Sequence, residues 1–573
     1  MKTLNLDQLS FDENIEFNVI ASEIRNDYDA LVNQLSQEYL TNIHWIVCSI
    51  ASRNKYQSAL FYRCCQIVFV QKKITDNNQI NKIHLSDRPL ADLLSKNITT
   101  SISVECTESF VERLWRYFRP IRQIIIAFFL LFLRFMGSIN TKPRNFNRDE
   151  SLILVDTFVL NNKAGDEGSI KNGTYKDRYY PGLLENLSEE EKKQIYFVPT
   201  IIGFLNPIKI FKKIREANFS FILHDDFLKM GDYLFAMSQP FKMMRIEIKK
   251  TLFSKIDIEP ILTQEKKRNC SDFVSILGLL YYRFAFRLKK NNIKIKLLVE
   301  WYENQAIDRG MIVGFHTFLP TTTIIGYQGY IISKSLHLYT QPNNSEFDSM
   351  AVPDFIAVPG KGLINDIREF CSRVNVIVGP AFRFQNLWRE RKSHPPADKY
   401  NVLIGLPIDL GDSKNILELL INDQKLVHCQ NINFLIKPHP TWPSEVICGL
   451  FPKGYLDAFD FVLGDFHNAL EKSSLVITNA SSIALEAVAK GVPVIIVAPK
   501  TGVLQNPIPE KVNKDCWSIC YSTSDIKNEI LNFKLMKKNR FNFMKIGNKV
   551  RSDYFQEVTR DSVQNFVRVS KLR

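Results

Sequence analysis

An α/β fold of two doubly wound, Rossmann-like domains facing a cleft is what this sequence predicts, on three observations. Short apolar runs of strand length alternate with helix-length segments over most of the chain, the pattern of βαβ units on a mostly parallel sheet. One polar, charged stretch, 389–400 (RERKSHPPADKY), interrupts that alternation and carries Pro395 and Pro396, so it reads as a linker. The 573 residues, 45% hydrophobic and 23% charged, supply cores for two large domains and exclude a disordered or fibrous chain. The implied division is an N-terminal domain over 1–390, a linker over 391–399, a C-terminal domain over 400–525 and a helical tail over 526–573.

Residues 1–40 read as a polar, partly helical lead-in. His44–Ala51 (HWIVCSIA) reads as a strand, Tyr56–Val70 as a helix, and Ile80–Leu85 and Ser101–Glu105 as strands. An apolar helix at about 110–137 and the basic loop TKPRNFNR follow. Leu152–Leu160 (LILVDTFVL) is the next strand. A helix from near Pro181, a strand at Ile195–Thr200, a helix at Ile208–Ala217 and a strand at Phe219–His224 come after it. A long helical block over about 230–292 precedes strands at Ile293–Glu300, Thr323–Tyr327 and Val374–Val378. Beyond the linker the strands are Asn401–Leu406, Asn433–Lys437, Phe459–Leu463, Leu475–Thr478 and Pro493–Val497, and 523–573 reads as amphipathic, basic helix.

Lysine and arginine number 74 against 60 acidic residues, a formal charge of +14. That excess suits nucleic acid, an anionic membrane or a phosphate-bearing substrate. No zinc-finger or RNA-binding signature accompanies it and the lysines are spread along the chain, so nucleic acid is not the expected partner. Ten cysteines without a paired CxxC set fit neither a disulfide scaffold nor structural zinc. Cys64, Cys65, Cys516 and Cys520 read as buried or incidental thiols in a reducing, cytoplasmic setting. The start, MKTLNLDQLSFDEN, has no basic-then-apolar secretory pattern. The longest apolar run, Ile124–Leu133, covers about 15 Å as a helix, half the roughly 30 Å hydrocarbon core, so it is not expected to span a bilayer. Arg113, Trp115, Arg116, Tyr117, Arg119 and Arg122 precede it and Arg134 follows. Such flanks describe a helix lying in a membrane interface; a buried core helix with a basic rim is the alternative.

Four groups of residues sit where strands end. In FLIKPHP (Phe434–Pro440) two prolines fix the backbone and present Lys437 and His439 at the cleft edge, a cation and an imidazole suited to a phosphate leaving group. The alternative is a satisfied histidine in a turn. In TNASSIALEAVAKG a strand runs into Ser481 and Ser482 at a helix start, an anion site, with Glu486 one turn on for ribose hydroxyls. Ordinary capping is the alternative. In VEWYENQAIDRG, Glu300 ends a strand and Glu303, Asn304 and Gln305 follow, a polar site with a carboxylate for nucleophilic or base chemistry and amides for sugar hydroxyls. His316 and Gln328 of the GYQ turn are candidates to line the same pocket, and an acid-rich helix start is the alternative. Asp156 inside LILVDTFVL, Asp177 with Arg178, and Asp225 with Asp226 are weaker candidates of the same kind. There is no D-x-D triplet, no phosphate-binding G-x-x-x-x-G-K-[ST] loop and no strand-linked G-x-G-x-x-G, which argues against a P-loop NTPase and a nicotinamide dehydrogenase.

With FLIKPHP and TNASSIALEAVAKGVPVIIV, the C-terminal half resembles the GT-B glycosyltransferases of bacterial surface polysaccharides. It is most similar to those using CMP-activated ulosonic acids: Kdo, sialic acid and related nonulosonic acids. LILVDTFVL, RYYPGLLE, WYENQA, GYQG and VGPAFRF of the N-terminal half resemble surface carbohydrate biosynthesis proteins, with Gly329 standing where relatives carry His. The resemblance implies that His439, Ser481 and Ser482 bind CMP, with Lys437 and Glu486 beside them. It implies a catalytic carboxylate in the N-terminal domain, by position Glu303 first and Asp156 second. The implied activity is transfer of an ulosonic acid from a CMP-sugar donor to a lipid-linked glycan of O-antigen or capsule type, at the inner face of the cytoplasmic membrane, with no cofactor and no metal. A glycerophosphotransferase or hexosyltransferase on the same fold, and a non-catalytic membrane scaffold, are the alternatives.

Overall fold

Three parallel sheets follow one another along the chain. The protein is seen in a computed structural model that describes residues 2–76, 80–98, 102–139, 141, 150–160, 168–202, 207–331, 338–389, 399–500, 502–536 and 540–569. The Pro395–Pro396 linker and nearly all of the TKPRNFNR loop lie outside the described residues. The first sheet joins β1 (Lys2–Asn5), β2 (Ile80–Leu85) and β3 (Ser103–Cys106). The second holds β4 (Leu152–Leu160), β5 (Ile195–Ile202), β6 (Ile295–Trp301), β7 (Thr323–Tyr327), β8 (Phe355–Val358) and β9 (Val376–Val378), in the order β5-β4-β6-β7-β8-β9. The third holds β10 (Tyr400–Gly405), β11 (Ile432–Lys437), β12 (Phe459–Phe461), β13 (Leu475–Thr478), β14 (Val494–Val497) and β15 (Trp517–Cys520), in the order β12-β11-β10-β13-β14-β15. The α/β class and the two doubly wound units are as the sequence predicts. Helices cover both faces of each large sheet, which is why strands such as LVIT and VIIV are apolar without alternation.

The first sheet packs with α1 (Phe11–Glu23), α2 (Arg25–Ser36), α3 (Leu60–Asp76) and α4 (Arg88–Asn97) around a core of its own that includes Leu4, Phe17, Tyr28, Phe69 and Ile83. The stretch read as one domain over 1–390 therefore opens with a separate small unit. A buried ion network ties it to the second sheet. Arg53 donates to Asp29 at 2.7 Å, to Glu346 at 2.9 Å and to the Gln341 carbonyl at 2.6 Å. Toward the third sheet, Asn14 donates to the Pro499 carbonyl at 2.8 Å.

Behind the second sheet run α5 (Phe110–Ile139), α7 (Phe273–Lys290) and α8 (Ala306–Phe318), while α6 (Glu259–Asn269) packs its Ile261 and Leu262 into the core of the small first unit. The α7–α8 crossing is close because two glycines meet: a Cβ on Gly310 would lie 1.9 Å from the Gly278 carbonyl oxygen. The third sheet carries α9 (Leu410–Ile421) and α10 (Ile483–Ala489). The tail is helical, as read, through α11 (Arg540–Tyr554) and α12 (Arg560–Val567), and it crosses back to the second sheet, where the Ala381 amide donates to the Gln556 carbonyl at 2.8 Å.

Several local expectations change. His44–Ala51 forms two helical turns, Ile43–Ile46 and Ser49–Ser52, since a short buried apolar run fits helix or strand equally. Phe219–His224 keeps a single bridge, Phe197 to Phe221, and the helix expected near Pro181 is one turn at Leu184–Asn186. Strands β8 and β15 were not read from the sequence; each is only four residues long. The helix read at 110–137 runs for 30 residues, about 45 Å, well beyond its ten-residue apolar run.

Candidate active site

In a doubly wound sheet, ligands bind outside the carboxyl ends of the strands where the strand order reverses. That point lies between β4 and β6 in the second sheet and between β10 and β13 in the third. Both are occupied by residues the sequence singles out.

At the first reversal, alternation along β4 and β6 turns Asp156 and Glu300 toward α7 and α8, on the side of Leu154 and Leu298. Asp156 is 6% and Glu300 2% exposed, and Asp156 Oδ1 and Glu300 Oε2 have no hydrogen-bond partner. Burial, followed by the Asp308 charge, pushes both carboxyls far above the ordinary range and favours their protonated forms. Asp308 caps α8, accepting from the Glu303 amide at 2.8 Å and the Gln305 amide at 3.1 Å. Burial and the neighbouring Glu303 charge raise it to about 7. Glu303 is the half-buried member, and Trp301 Nε1 at 2.9 Å and Gln305 Nε2 donate to its two oxygens. Of the three carboxyls proposed as catalytic, Glu303 is the accessible one; Asp156 and Glu300 are buried.

The amide and imidazole candidates divide. Gln305 touches Glu303 and belongs to the site. Asn304 does not: it is fully buried at φ 56°, where asparagine is tolerated, and donates to the Tyr339 carbonyl at 2.6 Å and Glu346 at 2.9 Å. It shapes the turn that presents Glu303. Gln328 is 2% exposed and donates to the Thr340 carbonyl at 2.8 Å, so it too is structural. His316 lies three turns down α8, bound to the Met350 carbonyl at 2.9 Å and near Asp354, whose other oxygen holds the amide of Ile324 near the start of β7. Since α8 runs away from the carboxyl ends, His316 is on the opposite edge of the sheet. Gly329 is a steric necessity: a Cβ there would lie 2.5 Å from the Trp301 ring.

At the second reversal, Lys437 ends β11 and His439 follows Pro438. His439 Nδ1 accepts from the Thr441 amide at 3.2 Å and lies 2.9 Å from its hydroxyl, which places the ring proton on Nε2. Burial, then Arg178, Lys437 and Arg383, lower its pKa to about 4. The ring is therefore a neutral donor, not the cation expected from sequence. Burial also lowers Lys437, with Asp465 opposing. Ser482 is the N-cap of α10, yet its hydroxyl makes no cap bond and instead reaches Glu486 at 3.4 Å; Ser481 is half-buried beside it. Glu486 is 6% exposed and pairs with His467 at 3.2 Å, so this carboxylate is already engaged.

Four residues were missed. Arg383 follows β9, lies 5.7 Å over the Trp301 ring and sits close enough to Arg178 and Glu486 to feel both charges. Burial and Arg178 hold it below its ordinary value, and among the described residues neither arginine has an ion-pair partner. Asn479 follows β13, fully buried, with both side-chain polar atoms unpartnered. His467, whose burial is outweighed by Glu486 so that its pKa is raised, and Lys490 line a pocket of about 40 Å³ with Asn386 and Arg389 at the seam between the domains. The signal for Arg383 and Asn479 was their place just after a strand.

No family model matches the chain, and no curated protein does. Among solved structures it is similar to a putative UDP-N-acetylglucosamine 2-epimerase from Listeria monocytogenes, at 12% identity over 73% of this chain and 95% of that one, with TM-score 0.42. It is also similar to the wall teichoic acid polymerase TagF, at 10% identity over 80% and 97% with TM-score 0.36. A third is Acinetobacter baumannii MurG, at 13% over 73% and 98% with TM-score 0.36.

Proposed function

We propose that this chain is a GT-B glycosyltransferase that moves an ulosonic acid from a CMP-activated donor to a lipid-linked surface glycan at the inner face of the cytoplasmic membrane. One observation carries the reading: Lys437 from the C-terminal domain and Arg178 and Arg383 from the N-terminal domain, none with an ion-pair partner among the described residues, gather around His439. A CMP-ulosonic acid brings two anions, the phosphodiester and the sugar carboxylate. Lys437 and the Nε2–H of His439 suit the phosphate, the hydroxyls of Ser481 and Ser482 and the orphaned Asn479 amide suit the nucleotide, and the Arg178–Arg383 pair suits the sugar carboxylate. In the transfer, the bond from the anomeric carbon to the phosphate oxygen breaks and CMP leaves with that electron pair, stabilised by Lys437 and His439. An acceptor hydroxyl forms the new bond, and its proton goes to Glu303, the accessible carboxylate. Gln305 holds Glu303 in place.

The test is thermal unfolding of the full chain with CMP, CDP, UDP or GDP. At about 100 times its Kd, CMP adds roughly 2.7 kcal/mol and raises the midpoint, while the others do not. A preference for UDP or GDP overturns the donor, and no response to any of them favours the scaffold reading.

A further inference from the structure

Helix α5 does something the transfer reaction does not need. Its buried stripe is Ala127, Leu131 and Arg134, and Arg134 is locked to Asp225 by two hydrogen bonds of 2.7 and 3.1 Å. At 100° per residue, Phe118, Ile121, Ile125, Phe128, Phe129 and Phe132 fall on the opposite side, each between 47% and 63% exposed. By length and composition this helix is apolar enough to cross a membrane, but Arg134 is paired with Asp225 inside the protein, and a helix with one buried side and one exposed apolar face suits an interface.

Beside that face, between α5, α6 and the start of α4, lies a pocket of about 410 Å³ lined by six arginines and only two carboxylates. Arg63 is used by Asp87 and Glu265, and Arg116 by Glu108. Arg119, Arg122 and Arg268 have no ion-pair partner among the described residues, and Arg122 lies 5.5 Å over the Trp115 ring. Burial, then Arg268, hold Arg119 below its ordinary value, with Asp272 and Glu265 opposing. We propose that this pocket seats the phosphate of an anionic phospholipid headgroup while the apolar face of α5 enters the acyl region. The charge complements a phosphodiester, and the pocket opens where the headgroup layer meets an interfacial helix. This deepens the membrane reading above and rests on it.

The test is sedimentation of the full chain with phosphatidylcholine vesicles, with and without phosphatidylglycerol. The wild type binds the anionic vesicles at least about tenfold more tightly. Arg119→Gln with Arg268→Gln, and separately the exposed Arg122→Gln, remove most of that preference and leave binding to neutral vesicles unchanged. Phe128→Asp with Ile125→Asp abolishes binding to both. An arginine variant that keeps the full preference overturns the headgroup site while sparing the membrane reading. Wild-type protein that binds neither vesicle, including one that sediments as a dimer through this face, overturns both. Stabilisation by inorganic phosphate that Arg119→Gln and Arg268→Gln abolish, without vesicle binding, assigns the pocket to a free anion and also overturns the lipid seat. CMP binding, read by thermal shift, is unaffected by these variants, so the transfer reading is judged separately.

Discussion

Charge placement at single residues separates acting groups from supporting ones. His439→Ala removes the Nε2–H donor and lowers transfer by roughly 100-fold, measured as kcat, with an unchanged unfolding midpoint; near wild-type turnover removes the phosphate site. Glu303→Gln keeps the Trp301 and Gln305 neighbours yet cannot accept the acceptor's proton, so turnover falls while CMP still raises the midpoint. Asp308 offers a pH test. Its folded pKa of about 7 is above the ordinary 3.8, so the folded chain retains a proton that the unfolded chain releases between those values. Its contribution to stability is present at acid pH and is lost as pH rises through about 7, and Asp308→Asn flattens that part of the curve of midpoint against pH. Lys437, His439 and Glu303 were legible in the sequence because they follow unmistakable apolar strands. Asn304, Gln328 and His316 carry the same residue types near the same strands, and only burial and helix direction separate them from the site. Arg383 and Asn479 were passed over because a lone arginine and a lone asparagine have no spacing to announce them.

Among elements, the long apolar strands were read within a residue or two because burial on both faces leaves no other composition open to them. Strand β8 escaped because Pro353 and Asp354 before it and Pro359 and Gly360 after it look like loop. The α7–α8 pair was legible as helix but not as a close crossing, which depends on which glycines face each other. Gly310→Ala puts a methyl against the Gly278 carbonyl and drives α8 outward. It costs about 1–3 kcal/mol of stability, seen in denaturant unfolding. Because α8 begins at the turn that carries Glu303, kcat falls more than the affinity for CMP. A variant that unfolds like the wild type would mean that the two helices can separate freely.

Across the whole molecule, the two domains are joined by more than the chain between them, which could not be read from local pattern because the contacts join residues hundreds of positions apart. The small N-terminal unit reaches the second sheet through Arg53 and the third through Asn14, and the tail returns from the third sheet to the second. Phe566 of α12 is the anchor of that return: it is 2% exposed, with its ring 5.7 Å from Tyr327 and 5.8 Å from Phe382. Arg383 is the next residue along, so the tail holds the segment that supplies a cation to the cleft. Phe566→Ala empties a core site and costs about 3–5 kcal/mol of stability. If the tail only braces the fold, CMP and a CMP-sugar each stabilise this variant as much as they do the wild type. If it also sets Arg383 against Trp301 and His439, the midpoint shift produced by a CMP-sugar shrinks while that produced by CMP alone is kept, because Arg383 is assigned to the sugar carboxylate and Lys437 and His439 to the phosphate. The second outcome is the one this geometry predicts, and equal shifts with both ligands would reduce the tail to a brace.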